Sequence, residues 1–134
     1  MTRRVFVYGT LRRGGSRAIE DHFPSARQIA CGSISGTLYD LGAYPGLRLH
    51  GECRITGEIY QIDELVLNAL DAYEGFYPDE SERSDYQRHT VNVTTADDRT
   101  VACEIYEIRE PLTLGCPEIP GGDWIAYAKK KTAA

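Results

Sequence analysis

Two stretches of this chain carry residues of the right type and spacing for chemistry. The first is YGTLRRGGS, Tyr8 to Ser16, directly after the apolar run Val5-Phe6-Val7. From Gly9 it has the outline of a phosphate-binding loop, with four residues before Gly14. Gly15, however, stands where such a loop carries the lysine that bridges a nucleotide's terminal phosphates. The sequence around it also lacks the alternation of strands and helices that loop requires, so nucleotide hydrolysis is disfavoured. What remains is a glycine turn that can bring backbone N–H groups close to a carboxylate or a developing oxyanion. Arg3, Arg4, Arg12, Arg13 and Arg17 concentrate positive charge around it and suit the same small anion.

The second stretch is LDAYEG, Leu70 to Gly75. At about 100° per residue, Val66, Leu67, Leu70 and Tyr73 fall on one helical stripe, and Glu74 projects between the directions of Leu70 and Leu67. Asp71 sits at the margin of the stripe, where solvation is easier. A carboxylate aimed with the core, at the negative end of a helix, is harder to ionise, which suits a general acid/base near neutral pH. The alternative is a helix that ends before Gly75 and lets Glu74 turn into solvent, and periodicity alone leaves both open.

Elements must position these residues. Residues 5–8 read as a buried strand, 34–39 as a second with Gly36 marking a bulge, and 57–62 as a third. Turn signals at Gly42, Pro45, Gly46 and Gly51 surround a short extended piece at 47–49. Asp63 reads as the cap of a helix over 64–73. A polar loop over 75–85 leads to strands at 88–94 and 100–108, joined by the hairpin signal Ala96-Asp97-Asp98-Arg99. A Pro- and Gly-rich stretch precedes an aromatic segment at 124–127. This pattern predicts an α+β fold on a small, mainly antiparallel barrel or strongly bent sheet.

The 134 residues suffice for one core, so a single domain over 1–134 is expected. A net charge of -5 argues against general nucleic-acid binding, and no apolar run approaches the roughly 20 residues that span a bilayer. The first apolar run is too short for a signal peptide, which points to a cytoplasmic protein. Cys31, Cys53, Cys103 and Cys116 show no zinc-binding spacing, so no metal is expected and the thiols read as reduced. His22, His50 and His89 are scattered and read as ordinary surface or hydrogen-bonded residues.

VFVYGTLRRG (Val5 to Gly14), GEIYQID (Gly57 to Asp63), LDAYEG, YQR (Tyr86 to Arg88) and GDW (Gly122 to Trp124) resemble, in this order, the γ-glutamylcyclotransferase-like family, which includes γ-glutamylamine cyclotransferases and plant AIG2-like proteins. The resemblance implies a small mixed β-barrel with flanking helices and a cavity at the YGTL loop. It also implies cofactor-independent release of 5-oxoproline from a small γ-glutamyl substrate. By position, Glu74 matches the family's acid/base, and Tyr8, Gly9, Thr10 and Leu11 match its substrate loop. Tyr86, Tyr106, Trp124 and Tyr127 either line the cavity or pack in the core. Arg88 pairs with a substrate carboxylate, with Glu74, or with a surface acid. The expectation is an enzyme acting as a monomer or homodimer, away from membranes and nucleic acid. A non-catalytic module holding an amino-acid-like ligand is the alternative, and the leaving amine is left open.

Overall fold

Alternation along Val5-Phe6-Val7-Tyr8 sends successive side chains to opposite faces of a sheet. The computed structural model, which describes residues 2–80 and 82–133, sorts them accordingly. Val5 and Val7 join one apolar cluster with Tyr60, Ile62, Leu67, Leu70 and Tyr106. Phe6 and Tyr8 join the other, with Leu38, Leu47, Ile55, Ile59, Ile105 and Trp124. The elements run β1 (Thr2–Val7), α1 (Ile19–His22), β2 (Arg27–Asp40), β3 (Pro45–Asp63), α2 (Glu64–Tyr73), β4 (Tyr86–Thr95), β5 (Thr100–Ile108), a 3-10 turn at Glu110–Thr113, and α3 (Trp124–Ala133).

The five strands close into a barrel in the order β1-β3-β2-β4-β5. Neighbours pair antiparallel except at the closure, where Val5 on β1 meets Glu104 on β5 in parallel. The fold is therefore the mixed, mainly antiparallel α+β barrel expected. Several details differ from the sequence reading: β2 begins seven residues earlier than expected, β1 and β4 are shifted or longer at their starts, and the short α1 was not expected. The short piece at 47–49 and the strand at 57–62 belong to one strand, β3. Pairing with β2 passes from Gly36↔Cys53 to Thr37↔Arg48, so residues 49–52 bulge out and the ladder resumes beyond them. The aromatic segment at 124–127 begins α3, and its start is capped by Asp123, whose Oδ1 accepts from the Ala126 N–H at 3.1 Å.

Helix α2 has the expected bounds because its cap forms: the Asp63 side chain accepts from the Val66 N–H at 2.8 Å. Val66, Leu67 and Leu70 are buried as the stripe requires, whereas Tyr73 is 45% exposed. Asp71 also departs from its expected solvated position, being only 9% exposed. All four cysteines are unbridged. Among the described residues, no helix is long and apolar enough to cross a membrane.

Candidate functional site

The chain leaves β1 at Val7 and turns sharply, so Tyr8, Gly9, Thr10 and Leu11 lie at the end of a barrel strand. Gly9 is required there: a Cβ at this position would lie 2.7 Å from Pro45 Cγ, closer than two carbons can pack. The carbonyls of this turn are used internally, Gly9 accepting from Arg12 at 3.1 Å, Thr10 from Arg17 at 3.0 Å and Leu11 from Ile19 at 2.9 Å. Among the described residues, the N–H groups of Gly9, Thr10 and Leu11 donate to no acceptor. Three successive unpaired backbone donors bordering a cavity have the chemistry to receive an anion.

That cavity has a volume of about 800 Å³ and is lined by Tyr8 through Leu11, Arg17, Tyr44, Pro45, Glu74, Asp85, Tyr86 and Tyr106, among others. Glu74 reaches it because it continues the turn of α2. Its N–H donates to the Leu70 carbonyl at 2.8 Å, its φ and ψ of -81° and -3° remain helical, and Gly75 at φ 69° ends the helix one residue later. The alternative of a side chain swung away into solvent is therefore not adopted. Glu74 is half-buried by area because the cavity is open, but protein surrounds it on its other sides. Among the described residues its carboxylate accepts no hydrogen bond and forms no salt bridge. Burial alone pushes its pKa up to about 7.

Three of the tyrosines that line this cavity have their hydroxyls anchored. Tyr8 donates to the Tyr106 carbonyl at 2.6 Å, Tyr86 to the Pro45 carbonyl at 3.1 Å and Tyr106 to Asp71 Oδ1 at 2.7 Å. Burial raises all three pKa values, and the nearby Glu74 charge raises them further, so the hydroxyls remain protonated.

Arg88 lies outside the cavity wall. Its Nη1 donates to Asp71 Oδ2 at 2.6 Å, and its Nε lies 3.1 Å from Glu104 Oε1, which Arg3 also approaches at 3.2 Å. It therefore pairs with Asp71 rather than with Glu74, and reaches the site only through Tyr106. Trp124 lines a neighbouring depression, and the Tyr127 hydroxyl donates to Asp40 at 2.6 Å. Arg17, Tyr44, Pro45 and Asp85 line the cavity without having been singled out. Of these, Arg17 carried a sequence signal as one of the five loop arginines and Pro45 only as a turn residue; three of the loop arginines, Arg3, Arg12 and Arg13, are held in ion pairs elsewhere.

Known proteins are similar to this chain in sequence and in fold. The family model described as γ-glutamyl cyclotransferase, AIG2-like, matches residues 5–126. A Vibrio cholerae protein named as a candidate γ-glutamylcyclotransferase is 42% identical over an alignment of 78 positions that covers 55% of this chain and 64% of that protein. The crystal structure of an AIG2-like protein from Mus musculus superposes with a TM-score of 0.72 at 28% identity, over 92% of this chain and 88% of that one. YkqA from Bacillus subtilis superposes with a TM-score of 0.77 at 26% identity over 100% of this chain, which spans only 44% of YkqA.

Proposed function

We propose that this chain, which belongs to the γ-glutamyl cyclotransferase, AIG2-like family, closes a γ-glutamyl amide on itself and releases 5-oxoproline and a free amine. The observation that carries this reading is the Glu74 carboxyl, with a pKa of about 7, on a cavity wall shared with the unpaired N–H groups of Gly9, Thr10 and Leu11.

In this reading the loop N–H groups hold the α-carboxylate of the glutamyl part and fold it back toward its own γ-carbonyl, a conformer that brings the reacting atoms together. Ionised Glu74 removes a proton from the substrate's α-ammonium. The freed amine attacks the γ-carbon, a C–N bond forms, and the amide C–N bond to the leaving amine breaks. Protonated Glu74 gives the proton to the departing nitrogen, and the second proton, shed by the attacking nitrogen as it becomes the lactam N–H, passes to the freed amine, which leaves as an ammonium. Every atom comes from the substrate, so the step balances without water or a cofactor. A group with its pKa near the working pH can both take and return this proton, which an ordinary surface glutamate does poorly. Tyr8, Tyr86 and Tyr106 bound the space that holds the folded substrate.

The test is 5-oxoproline release from a panel of γ-glutamyl amides, with the native chain beside Glu74→Gln. Release by the native chain alone is expected. Equal release by both removes Glu74 from the chemistry, and ligand binding without release by either moves the reading to a binding module.

A further inference from the structure

A second depression, of about 540 Å³, lies beside the cavity. Its walls are the side-chain-free Gly14, Gly15 and Gly42 and one face of α3, where Trp124, Ile125 and Lys129 follow helical spacing. Ser16 and Ala43 line both this depression and the cavity that holds Glu74, so the two spaces are neighbours across those residues. No step in the proposed reaction uses the second space.

Its charge is uneven in a way that selects a ligand. Asp40 is taken by the Lys131 ammonium at 2.9 Å and the Tyr127 hydroxyl at 2.6 Å. Asp123 is taken by Arg12 at 2.9 Å. Both acids near the depression are thus compensated, while Lys129 has no hydrogen bond or ion pair among the described residues. On the cavity side of the junction, Arg17 adds a second cation next to Ser16. The result is an apolar wall with a positive rim.

We propose that this depression is the leaving-group subsite, where the amine half of the substrate lays an apolar body against Trp124 and Ile125 and places an anionic end at Lys129. The inference rests on the cyclotransferase reading. If the glutamyl half is anchored at Gly9 to Leu11, whatever lies beyond the scissile bond must leave the cavity, and the second space lies directly across Ser16 and Ala43 from it. A small neutral amine leaves that space empty, and an amine bearing positive charge meets the repulsion of Lys129.

Trp124 is the single tryptophan of the chain, so its fluorescence reports occupancy directly. In Glu74→Gln, titration with γ-glutamyl-phenylalanine is expected to shift Trp124 emission saturably, with γ-glutamyl-ethylamide giving a much smaller shift. The native chain should favour γ-glutamyl-phenylalanine over γ-glutamyl-phenylalaninamide in kcat/KM. Lys129→Glu should lower that ratio roughly tenfold, the size expected for reversing one exposed charge beside an anion. An unresponsive Trp124 while calorimetry shows γ-glutamyl-phenylalanine bound, or an acid-to-amide ratio unchanged in Lys129→Glu, overturns the subsite. A change in emission with protein concentration alone overturns it too, because a second copy then covers the depression. Failure of the underlying reading looks different: Trp124 responds and Lys129→Glu weakens binding, but no 5-oxoproline appears from any substrate. That outcome supports the depression as a binding site and discards the cyclisation.

Discussion

Glu74→Gln makes a prediction about stability that needs no knowledge of the substrate. The folded chain raises this carboxyl from 4.5 to about 7 by burial. Between those two values the folded state holds a proton that the unfolded chain has released, so stability falls as pH rises through this window. The contribution is intact below about pH 4.5 and fully lost above about pH 7. At ~1.4 kcal/mol per pKa unit the shift corresponds to about 3 kcal/mol. Solvent entering the open cavity screens part of it, leaving an expected range of about 1 to 3 kcal/mol. Glutamine keeps the shape and cannot ionise, so the variant should match the native chain near pH 4 and exceed it at pH 8, with a melting temperature several degrees higher. The assay is thermal or urea unfolding of both proteins from pH 4 to 8, read as a difference so that the other titrating groups cancel. A flat difference curve would show that Glu74 is well solvated in solution and would refute the desolvation argument, with it the reason for a pKa near 7.

Three further outcomes follow from the same geometry. If ionised Glu74 is the base, kcat/KM for a γ-glutamyl amide should rise with pH along a limb centred near 7, and a limb near the ordinary 4.5 would refute the assignment. Arg12→Ala leaves Glu58, 5% exposed, without its cation, and should cost about 3 kcal/mol in urea unfolding; adding Glu58→Gln should recover much of it. Gly9→Ala drives a Cβ against Pro45 and should cost about 1 to 3 kcal/mol while weakening ligand binding in calorimetry, and retention of both would show that the loop yields easily.

Legibility in the sequence followed how local each signal was. The bounds of α2 and β5 could be read because a capping aspartate, and the spacing of Val101, Cys103 and Ile105 after a hairpin turn, act within a few residues. The course of β3 could not: Gly51, at φ 105°, marks a turn, but whether the ladder resumes beyond it depends on its pairing with β2, which no local signal in β3 reports. Helix α3 was hidden by its polar, lysine-rich second half. At the site, helical period aimed Glu74 at the core, but the same reasoning put Asp71 near solvent. Its burial depends on Arg88, 17 residues away, and Tyr106, 35 away, neither of which helical period can supply.

The motifs that carried the family resemblance divide between two tasks, and only one of them is at the cavity. Arg12 of YGTLRRG, Glu58 of GEIYQID and Asp123 of GDW meet in a single ion-pair cluster, with Arg12 Nε 2.6 Å from Glu58 Oε2 and its Nη1 2.9 Å from Asp123 Oδ1. Glu58 also accepts the Arg13 N–H at 2.9 Å. A loop that keeps three N–H groups unpaired for an incoming anion gives up the bonds that would otherwise stiffen it, and its glycines add freedom. Its rigidity must therefore come from outside, and the cluster supplies it by tying the loop to β3 and to the start of α3. The arginines beside the glycine turn, whose charge in sequence suited a small carboxylate directly, instead include one that fixes the turn so that its backbone can receive that carboxylate. It follows that Arg12→Ala should impair ligand binding as well as stability, although Arg12 does not line the cavity.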